Sequence, residues 1–268
     1  MALFSSSLQV IRHYLSASVG DLLYGQCGTT GALTNKTYAP FLWKANDYYN
    51  DNNYEVYVYA GTNVGVTKRV TDWVLADLLL TVHSVYDAAC DATSYIELHR
   101  IFTEDEYRKA INLAIQSLKN KYLIDVIDET TTLVADTFEY TLPTTLHFVH
   151  RITTENAVDG GLFYDTGVID TRNWELISPR KLKLNKSYYS VSAGKDLRIE
   201  GQGVQATVDG DADIIYLPLD WIRAKAITML PQNKVQSNKL DETYRGALIT
   251  SAREPLNSSH PDSKKVVE

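Results

Sequence analysis

Apolar positions follow a helical period near the start of the chain. Between Ser5 and Ala17, the residues Leu8, Ile11 and Leu15 recur at i, i+3 and i+7, behind serines that are able to cap a helix. The pattern predicts a short amphipathic helix with one buried stripe.

After this helix the period shortens to that of β-strands, in short runs that Gly, Asn and Asp interrupt. In "YEVYVYAG", Tyr54, Val56 and Val58 share one face while Glu55 and Tyr57 share the other, which is typical of a strand exposed on one side. The polar stretch "KANDYYNDNNY" just before it predicts an exposed loop, because its Asn and Asp residues favour turns.

A helix-start signal ends this β-rich block. Thr103 and Glu106 have the spacing of a capping box, and Phe102 and Tyr107 occupy the positions of a hydrophobic staple. Tyr107 begins an apolar stripe at helical spacing that continues through Ile111, Ala114, Ile115, Leu118 and Tyr122. These features predict a helix that ends by Leu123.

A second β-rich stretch covers about residues 130–217. Its predicted strands are "TFEYTLP", "HFVHRITTE", "GLFYDTG", "WELISPRKLKLN", "YYSVS", "DLRIEGQG" and "ADIIYLP". Gly160-Gly161 and the Gly201–Gly203 triplet are predicted turns, and the strand spacing suits a sandwich or jelly-roll-like module. The helical period returns after Pro218, with an expected break at Pro231.

Together these elements predict an α+β fold: a small helical bundle with two inserted antiparallel β-modules, one barrel-like and one sandwich-like or jelly-roll-like, and a flexible C-terminal tail. The predicted segments are an N-terminal helix (1–19), a first β-module (20–101), a central helix (102–128), a second β-module (129–217), C-terminal helices (218–252) and the tail (253–268). The predicted bundle core consists of Leu8, Ile11, Leu15, Ile111, Ile115, Leu118, Ile222 and Ala226.

Composition narrows the functional classes. The chain has 268 residues and a formal charge of -7, which argues against a protein that holds nucleic acid by neutralising phosphates. No apolar run approaches the roughly 20 residues of a membrane span, and the N-terminal residues do not read as a signal peptide. Two cysteines are too few for a disulfide framework, so a reducing compartment is expected.

An acidic stretch, "DGDAD", is the strongest candidate for a metal site. Asp209, Asp211 and Asp213 have the alternation of a calcium loop, and Asp220 stands at the twelfth position. However, Ile214 occupies the position of the required glycine, and no bidentate Glu closes the loop. The bland alternative, an acidic turn, is therefore preferred.

Other catalytic or ligand signals are weaker. His147 and His150 stand three apart, which on a strand sends them to opposite faces, and further zinc ligands are not evident. The glycines around Lys195 lack the pattern of a phosphate loop, and no spacing singles out a general acid and base. We therefore predict no catalytic residue, metal or cofactor, and a protein that is not an enzyme.

The aromatic residues leave a second class open. The chain has 18 tyrosines, most of which we assign to sheet packing. Exposed tyrosines and tryptophans such as Trp43, Trp73 and Trp174 would instead form a stacking platform in a receptor- or carbohydrate-binding tail or baseplate protein. A hydrolase with scattered carboxylates is a third option without positive evidence.

Three segments in order resemble the head-to-tail connector proteins of tailed bacteriophages, the adaptor or neck proteins below the portal ring. The first is "SVGDLLYGQCGTTGAL" after an N-terminal helix, and the second is "SYIELHRIFTEDEYRKAINLAIQSL". The third runs from "WELISPRKLKLN" to "KDLRIEGQGVQATVDGDADIIYLPLDWIRAKAITML". Together they cover most of residues 10–230, whereas Pro231 and the polar tail depart from the long final helix that the resemblance implies.

The resemblance implies a structural virion protein at the head–tail junction, assembled in the host cytoplasm. It would form a cyclic homo-oligomer of twelve copies that binds the portal protein on one side and tail or further neck proteins on the other. DNA would pass through the ring without sequence-specific binding, past an acidic wall. The tail would dock on the portal through Arg253, Pro255, Leu256, Lys264, Lys265, Val266 and Val267.

Overall fold

The computed structural model describes residues 5–29, 33–118, 121–187, 190–253 and 262–267. The chain divides into two compact units. The mixed unit comprises Phe4–Ser117 and Thr207–Glu254, and the β unit comprises Met1–Leu3, Leu118–Ala206 and Pro255–Glu268. Both the α+β class and the antiparallel sheets agree with the prediction.

Six α-helices occur in the part of the chain that the structure describes. They are α1 Leu8–Ser18, α2 Tyr48–Asp51, α3 Glu104–Ser117, α4 Leu219–Met229, α5 Gln232–Ser237 and α6 Asp241–Ser251. All six belong to the mixed unit.

The described strands fall into four antiparallel sheets. In chain order they are β1 Ser6–Ser7, β2 Leu23–Gln26, β3 Lys36–Tyr38, β4 Glu55–Ala60, β5 Thr67–Val74, β6 Leu79–Val82, β7 Tyr95–His99, β8 Ile124–Thr132, β9 Glu139–Thr141, β10 Leu146–Thr154, β11 Trp174–Ile177, β12 Lys181–Leu184, β13 Asp196–Gly203, β14 Ile214–Ile215 and β15 Lys264–Lys265.

The main sheet of the mixed unit has the strand order β2-β7-β4-β5-β6-β3. It curls into a half-barrel, and a bridge in which the amide of Gly28 donates to the carbonyl of Tyr38 links the chain after β2 to the far strand β3. Inside the curl, Trp73 and Leu80 are fully buried. This sheet accounts for the barrel-like character expected of residues 20–101.

The loop predicted at residues 44–54 is not wholly exposed. It contains the short helix α2, and Tyr49 is 1% exposed with its ring edge-on to Trp73 at 5.3 Å between centroids. The indole Nε1 of Trp73 donates to the carbonyl of Lys44 at 2.9 Å. The polar turn residues therefore surround a buried aromatic pair, Tyr49 and Trp73, which the composition of the stretch did not indicate.

The long helices pack around α4, which contacts α1, α3 and α6. Pro231 separates α4 from α5, as expected of a residue that cannot continue a helix. The predicted strand "ADIIYLP" belongs to this unit and not to the second β-module, because β14 pairs with β1. The central helix is also shorter than predicted: α3 ends at Ser117, and β8 begins at Ile124 inside the segment assigned to the helix.

The β unit contains a four-stranded sheet, β15-β10-β13-β8, and a three-stranded sheet, β11-β12-β9. Both contribute to one core, in which Val149 and Ile199 from the first sheet join Leu182 and Trp174 from the second. The two sheets therefore share one hydrophobic core.

Several turn and strand assignments in this unit were wrong. Gly201 and Gly203 lie inside β13, where a Cβ atom at Gly203 would collide with the carbonyl oxygen of Thr145 on the chain leading into β10. The glycines serve close backbone approach at a bulged ladder. The run "GLFYDTG" forms a 3₁₀ turn, Asp165–Gly167, instead of a strand, and Tyr188 and Tyr189 of "YYSVS" lie outside the described residues.

The described part of the predicted flexible tail is held in place. Lys264 and Lys265 form β15 on the edge of β10, and Val266 is 4% exposed. No helix among the described residues is long and apolar enough to cross a bilayer.

Candidate functional site

The most distinctive chemistry of the mixed unit is a buried arginine. Arg12 lies on α1 with no exposed surface, at a helix position that sequence periodicity leaves polar. Its guanidinium contacts Glu97 of β7 at 2.5 Å, Glu104 of α3 at 3.4 Å and Asp211 at 2.5 Å. A buried cation needs such partners, because an unpaired charge is strongly disfavoured away from water.

These contacts join parts of the chain that are far apart in sequence. Glu97 and Glu104 lie 85 and 92 residues from Arg12, and Asp211 lies 199 residues from it. Tyr57 of β4 completes the cluster: its hydroxyl donates to Asp211 at 3.0 Å and the Arg12 guanidinium lies 4.6 Å from its ring centroid. We call these five residues the ionic junction.

The polar face of β4 and β7 packs into this junction and is not exposed. Tyr57 is 7% exposed and Glu97 is fully buried, which corrects the prediction that "YEVYVYAG" is a strand with one solvent face. Alternation identified the two faces correctly. It did not reveal that both faces are covered, because the face with Tyr57 and Glu97 is polar in sequence and is buried by pairing within the ionic junction.

Two histidines approach the buried carboxylate of Glu97. His13 Nε2 lies 2.5 Å from Oε2, and His99 Nε2 lies 3.3 Å from Oε1; both are close nitrogen–oxygen contacts without hydrogen-bond geometry. Since His99 Nδ1 donates to the carbonyl of Asp21 at 2.8 Å, Nε2 faces Glu97 favourably only when it too carries a proton.

The pKa values reflect this arrangement. Burial alone would raise the pKa of Glu97, but contacts with His13 and His99 and the charge of Arg12 hold it well below its usual range. Burial alone would lower the pKa of His99, yet the Glu97 carboxylate raises it above its ordinary value. For Glu104 burial dominates, and its pKa is raised despite the nearby Arg12.

We expect the chain to lose stability as the pH rises through the raised pKa of His99. The stabilisation is fully present below the unfolded pKa of about 6.5 and disappears above the folded value. Urea denaturation at a series of pH values should show that His99→Gln removes this dependence. The exposed His83, replaced by Gln, is the matched control and should leave it intact. Parallel pH profiles for His99→Gln and the parent chain would contradict the assignment.

Asp21 binds the turn that connects β7 to α3. Its carboxylate accepts the amides of Arg100, Ile101 and Phe102 at 2.7 to 2.9 Å and the hydroxyl of Tyr107 at 2.9 Å. Asp21 is 5% exposed. It therefore fixes the turn that leads from the half-barrel into the helix, a role that no local motif indicated.

The predicted capping residues lie where their spacing places them. The amide of Thr103 donates to Glu106 Oε2 at 2.9 Å, and the amide of Glu106 donates to the Thr103 hydroxyl at 3.2 Å. The rings of Phe102 and Tyr107 lie 5.5 Å apart between centroids. Glu106 also accepts a hydrogen bond from Lys234 Nζ at 2.6 Å, which links the first turn of α3 to α5.

Replacing Thr103 by Ala should cost about 1 kcal/mol of stability, because the amide of Glu106 loses its capping acceptor. Thr103→Ser retains the hydroxyl and is the matched control. The midpoint of urea denaturation would report both. A loss well above 2 kcal/mol for the Ala variant would indicate a role beyond the cap.

All eight residues of the predicted bundle core are buried. The list is Leu8, Ile11, Leu15, Ile111, Ile115, Leu118, Ile222 and Ala226. Leu118 is the exception in placement, since it follows the last residue of α3 and falls into the β unit.

The three aspartates of the acidic stretch are engaged within the mixed unit, and one of them, Asp211, belongs to the ionic junction. Asp211 pairs with Arg12, and Asp209 forms an ion pair with Arg108. Asp213 accepts the amides of Asp209 and Gly210 at 2.8 and 2.9 Å, which holds the pKa of its carboxyl below the usual value. Among the described residues, no group of three or more His, Cys, Asp or Glu side chains is placed to hold a metal ion.

Two of the three tryptophans proposed for glycan stacking are inaccessible. Trp73 is fully buried and Trp174 is 3% exposed. Trp43 is 68% exposed, with Lys44 Nζ lying 3.8 Å from its ring centroid. A stacking platform built from all three is therefore not present.

The β unit contains a second constellation, a groove of about 590 Å³ at the edge of its four-stranded sheet. Leu123, His147, Phe148 and Arg180 line it together with the last described residues of the chain. We call this the strand groove. The β15 segment forms one wall of it, and its backbone pairs Lys264 with Val149 and Lys265 with Phe148.

Of the tail residues predicted to dock on the portal, four belong to this described C-terminal segment, Lys264, Lys265, Val266 and Val267, and the last three line the groove. Arg253 is exposed after α6, and Pro255 and Leu256 lie outside the described residues. Lys264 and Val266 are thus already engaged within the chain.

A scan of the chain against models of protein families found no match, and no curated protein matches its sequence. The function is therefore argued from the residues of this chain.

Proposed function

We propose that the chain is a structural virion protein that forms the head-to-tail connector ring between the portal and the tail of a tailed bacteriophage. The observation that carries the proposal is that the three connector-like sequence segments contact one another: the second and third meet at Arg12 of α1, and the first binds the second through Asp21. The first contributes Asp21, which binds the turn before α3; the second contributes Glu97 and Glu104; the third contributes Asp211. The three resembling stretches therefore build one connected set of contacts around α1 and the turn before α3.

The finer architecture supports the same proposal. Packed helices form the body of the protomer in this proposal, and the half-barrel and the sandwich are β-modules inserted between them. A cyclic ring needs two different complementary faces on each protomer, and projecting modules are a source of them. The formal charge of -7 suits a channel that repels DNA and lets it pass.

The anchored β15 refines the proposed portal contact. Since Val266 is buried in the β unit and Lys264 is bonded there, we place the portal contact in the residues ahead of this segment, from Arg253 through Pro255 and Leu256. Replacing residues 254–261 by a Gly/Ser stretch of equal length should abolish portal binding and leave the melting temperature unchanged. A deletion of 252–268 is a poorer variant, because it also removes Val266 from the core.

Negative-stain images of the purified protein, alone and mixed with portal protein, test the central claim. We expect rings of twelve copies in at least one condition. A monomer in both conditions would contradict the connector function. Unchanged portal binding by the Gly/Ser variant would contradict only the portal contact.

The alternative function, a receptor- or carbohydrate-binding tail or baseplate protein, would have to rely on Trp43 among the three tryptophans considered. A specific hit on a glycan array that Trp43→Ala removes would favour it over the connector.

A further inference from the structure

The chain that follows β10 closes on itself beside that strand. It leaves β10 and returns to it, since Thr153 forms a bridge with Val168 and the amide of Ile169 donates to the carbonyl of Ile152 at 2.9 Å. We call residues 155–167 the return loop. Compact surface loops whose ends lie close together are frequently functional.

The return loop forms a pocket of about 200 Å³ with the end of β10. Its lining includes Asn156, Tyr164 and Thr166 from the loop, Thr154 at the end of β10 and Lys195 just before β13. Each of these side chains carries an oxygen or a nitrogen atom. Pockets for drug-sized ligands measure about 300–1,000 Å³, so this return-loop pocket suits a smaller and polar ligand.

Glu155 provides a fixed carboxylate at the base of the return-loop pocket, which it also lines. It is 2% exposed, and its two oxygens accept the amide of Gly161 and, at 3.1 Å, the amide of Asp196. The bonds from Gly161 and Asp196 hold the pKa of this carboxyl below its usual value. A carboxylate has about four acceptor sites, more than these amides occupy, so Glu155 is able to accept a ligand hydroxyl as well.

Lys195 and Thr154 supply a donor and a further acceptor. Lys195 Nζ donates to the carbonyl of Asn156 at 2.7 Å, which holds the ammonium group at the pocket while its other protons remain for a ligand. The Thr154 hydroxyl donates to the carbonyl of Gly167 at 3.0 Å, which leaves the lone pairs of its oxygen as acceptors. The return-loop pocket therefore presents oriented donors and acceptors together.

The charges and the aromatic ring of the pocket narrow the class of ligand. One carboxylate, Glu155, and one ammonium group, Lys195, give no net preference for an anion or a cation. No group of three or more metal-ligating side chains is present in the described ranges of the chain. Tyr164 is 48% exposed and offers an aromatic face beside these polar groups. A neutral ring that carries several hydroxyl groups matches this lining.

We propose that the return-loop pocket binds one ring of a neutral carbohydrate. Hydroxyl groups of the sugar donate to Glu155 and accept from Lys195, and one face of the sugar ring lies against Tyr164. The small volume limits the bound portion to a single ring, with any further sugar units outside the pocket. The inference goes beyond the connector function and does not rest on ring assembly.

Two-dimensional proton–nitrogen NMR of the full-length chain tests the site. The probes are the methyl glycosides of glucose, galactose, mannose and N-acetylglucosamine, and the reporters are the amides of Gly161 and Asp196, which bond to Glu155. At least one glycoside should shift both signals saturably. Glycerol, which has hydroxyl groups but no ring, should not. The absence of saturable shifts with all four glycosides, or equal shifts with glycerol, would overturn the proposal.

Two variants assign the binding to this pocket. Lys195→Met removes the charged donor and should weaken binding about tenfold or more. Tyr164→Ala removes the aromatic face and should weaken it about threefold or more. Tyr14→Ala, at a tyrosine of α1 that is 51% exposed, and Lys186→Met, at an exposed lysine outside the pocket, are the matched controls and should bind as the parent chain does. Parental affinity in both pocket variants would overturn the site.

The same titration separates this inference from the functions considered above. Trp43→Ala should leave the glycoside shifts of Gly161 and Asp196 unchanged. Their loss in that variant, together with their retention in Tyr164→Ala, would overturn the return-loop pocket in favour of a surface at Trp43. The measurement needs neither rings nor portal protein, so failure of the connector function and failure of this inference are distinguishable.

Discussion

Replacing Arg12 by methionine should lower the free energy of unfolding by about 3–5 kcal/mol, the range for breaking a buried ion pair on one side. The variant leaves Glu97 and Asp211 without their cation in a region where Glu97 has no exposed surface. Methionine keeps much of the volume and the helix propensity of arginine, so the loss reports on charge more than on packing. Urea denaturation at neutral pH is the measurement.

Arg108 offers the matched control for this variant. It also pairs with Glu104 and with an aspartate of the same acidic stretch, but 28% of its side chain is exposed. Arg108→Met should cost about 1 kcal/mol or less, because partly solvated ion pairs contribute little. Equal losses for the two variants would show that burial does not determine the value of the Arg12 contacts.

Replacing Asp21 by Ala should cost at least about 3 kcal/mol, since each buried donor left without an acceptor costs about 1–3 kcal/mol. The variant leaves the amides of Ile101 and Phe102 and the hydroxyl of Tyr107 without their hydrogen-bond acceptor, at the turn that positions α3. Hydrogen exchange of the amides at 100–102 should accelerate together with the loss of global stability.

Asp213 is the matched control for Asp21. Its carboxylate also accepts two backbone amides, but in an exposed turn where water replaces the lost acceptor. Asp213→Ala should therefore cost about 1 kcal/mol or less. If Asp21→Ala were as mild as this control, the carboxylate would not be what fixes the turn.

The features that sequence predicted well are those encoded within a few residues. The Thr103–Glu106 pair and the apolar stripe beginning at Tyr107 depend only on spacing along one helix, and the structure places them accordingly. The end of α3 was predicted too late, because Leu118 and Tyr122 continue the period although the chain has left the helix.

The ionic junction could not be predicted because its partners are brought together by topology alone. Nothing near Arg12 in sequence distinguishes it from a solvated residue on a polar helix face, and Asp211 reads locally as part of an acidic turn. Likewise, β14 reads as one more strand of the second β-module until its pairing with β1 is known. Once the fold is known, the burial of Arg12 on a helix face that reads as polar is the feature that identifies the ionic junction.

The sequence separation of 199 between Arg12 and Asp211 also sets the order of events during synthesis. At roughly 5–20 residues per second, the ribosome needs about 10–40 s to produce Asp211 after Arg12. Near the end of that interval the strands β8 to β13 of the β unit have all been made, whereas the N-terminal part of the mixed unit still lacks Asp211 and all of α4. The β unit therefore has the opportunity to form first, and the mixed unit, whose two parts flank it in sequence, is completed last.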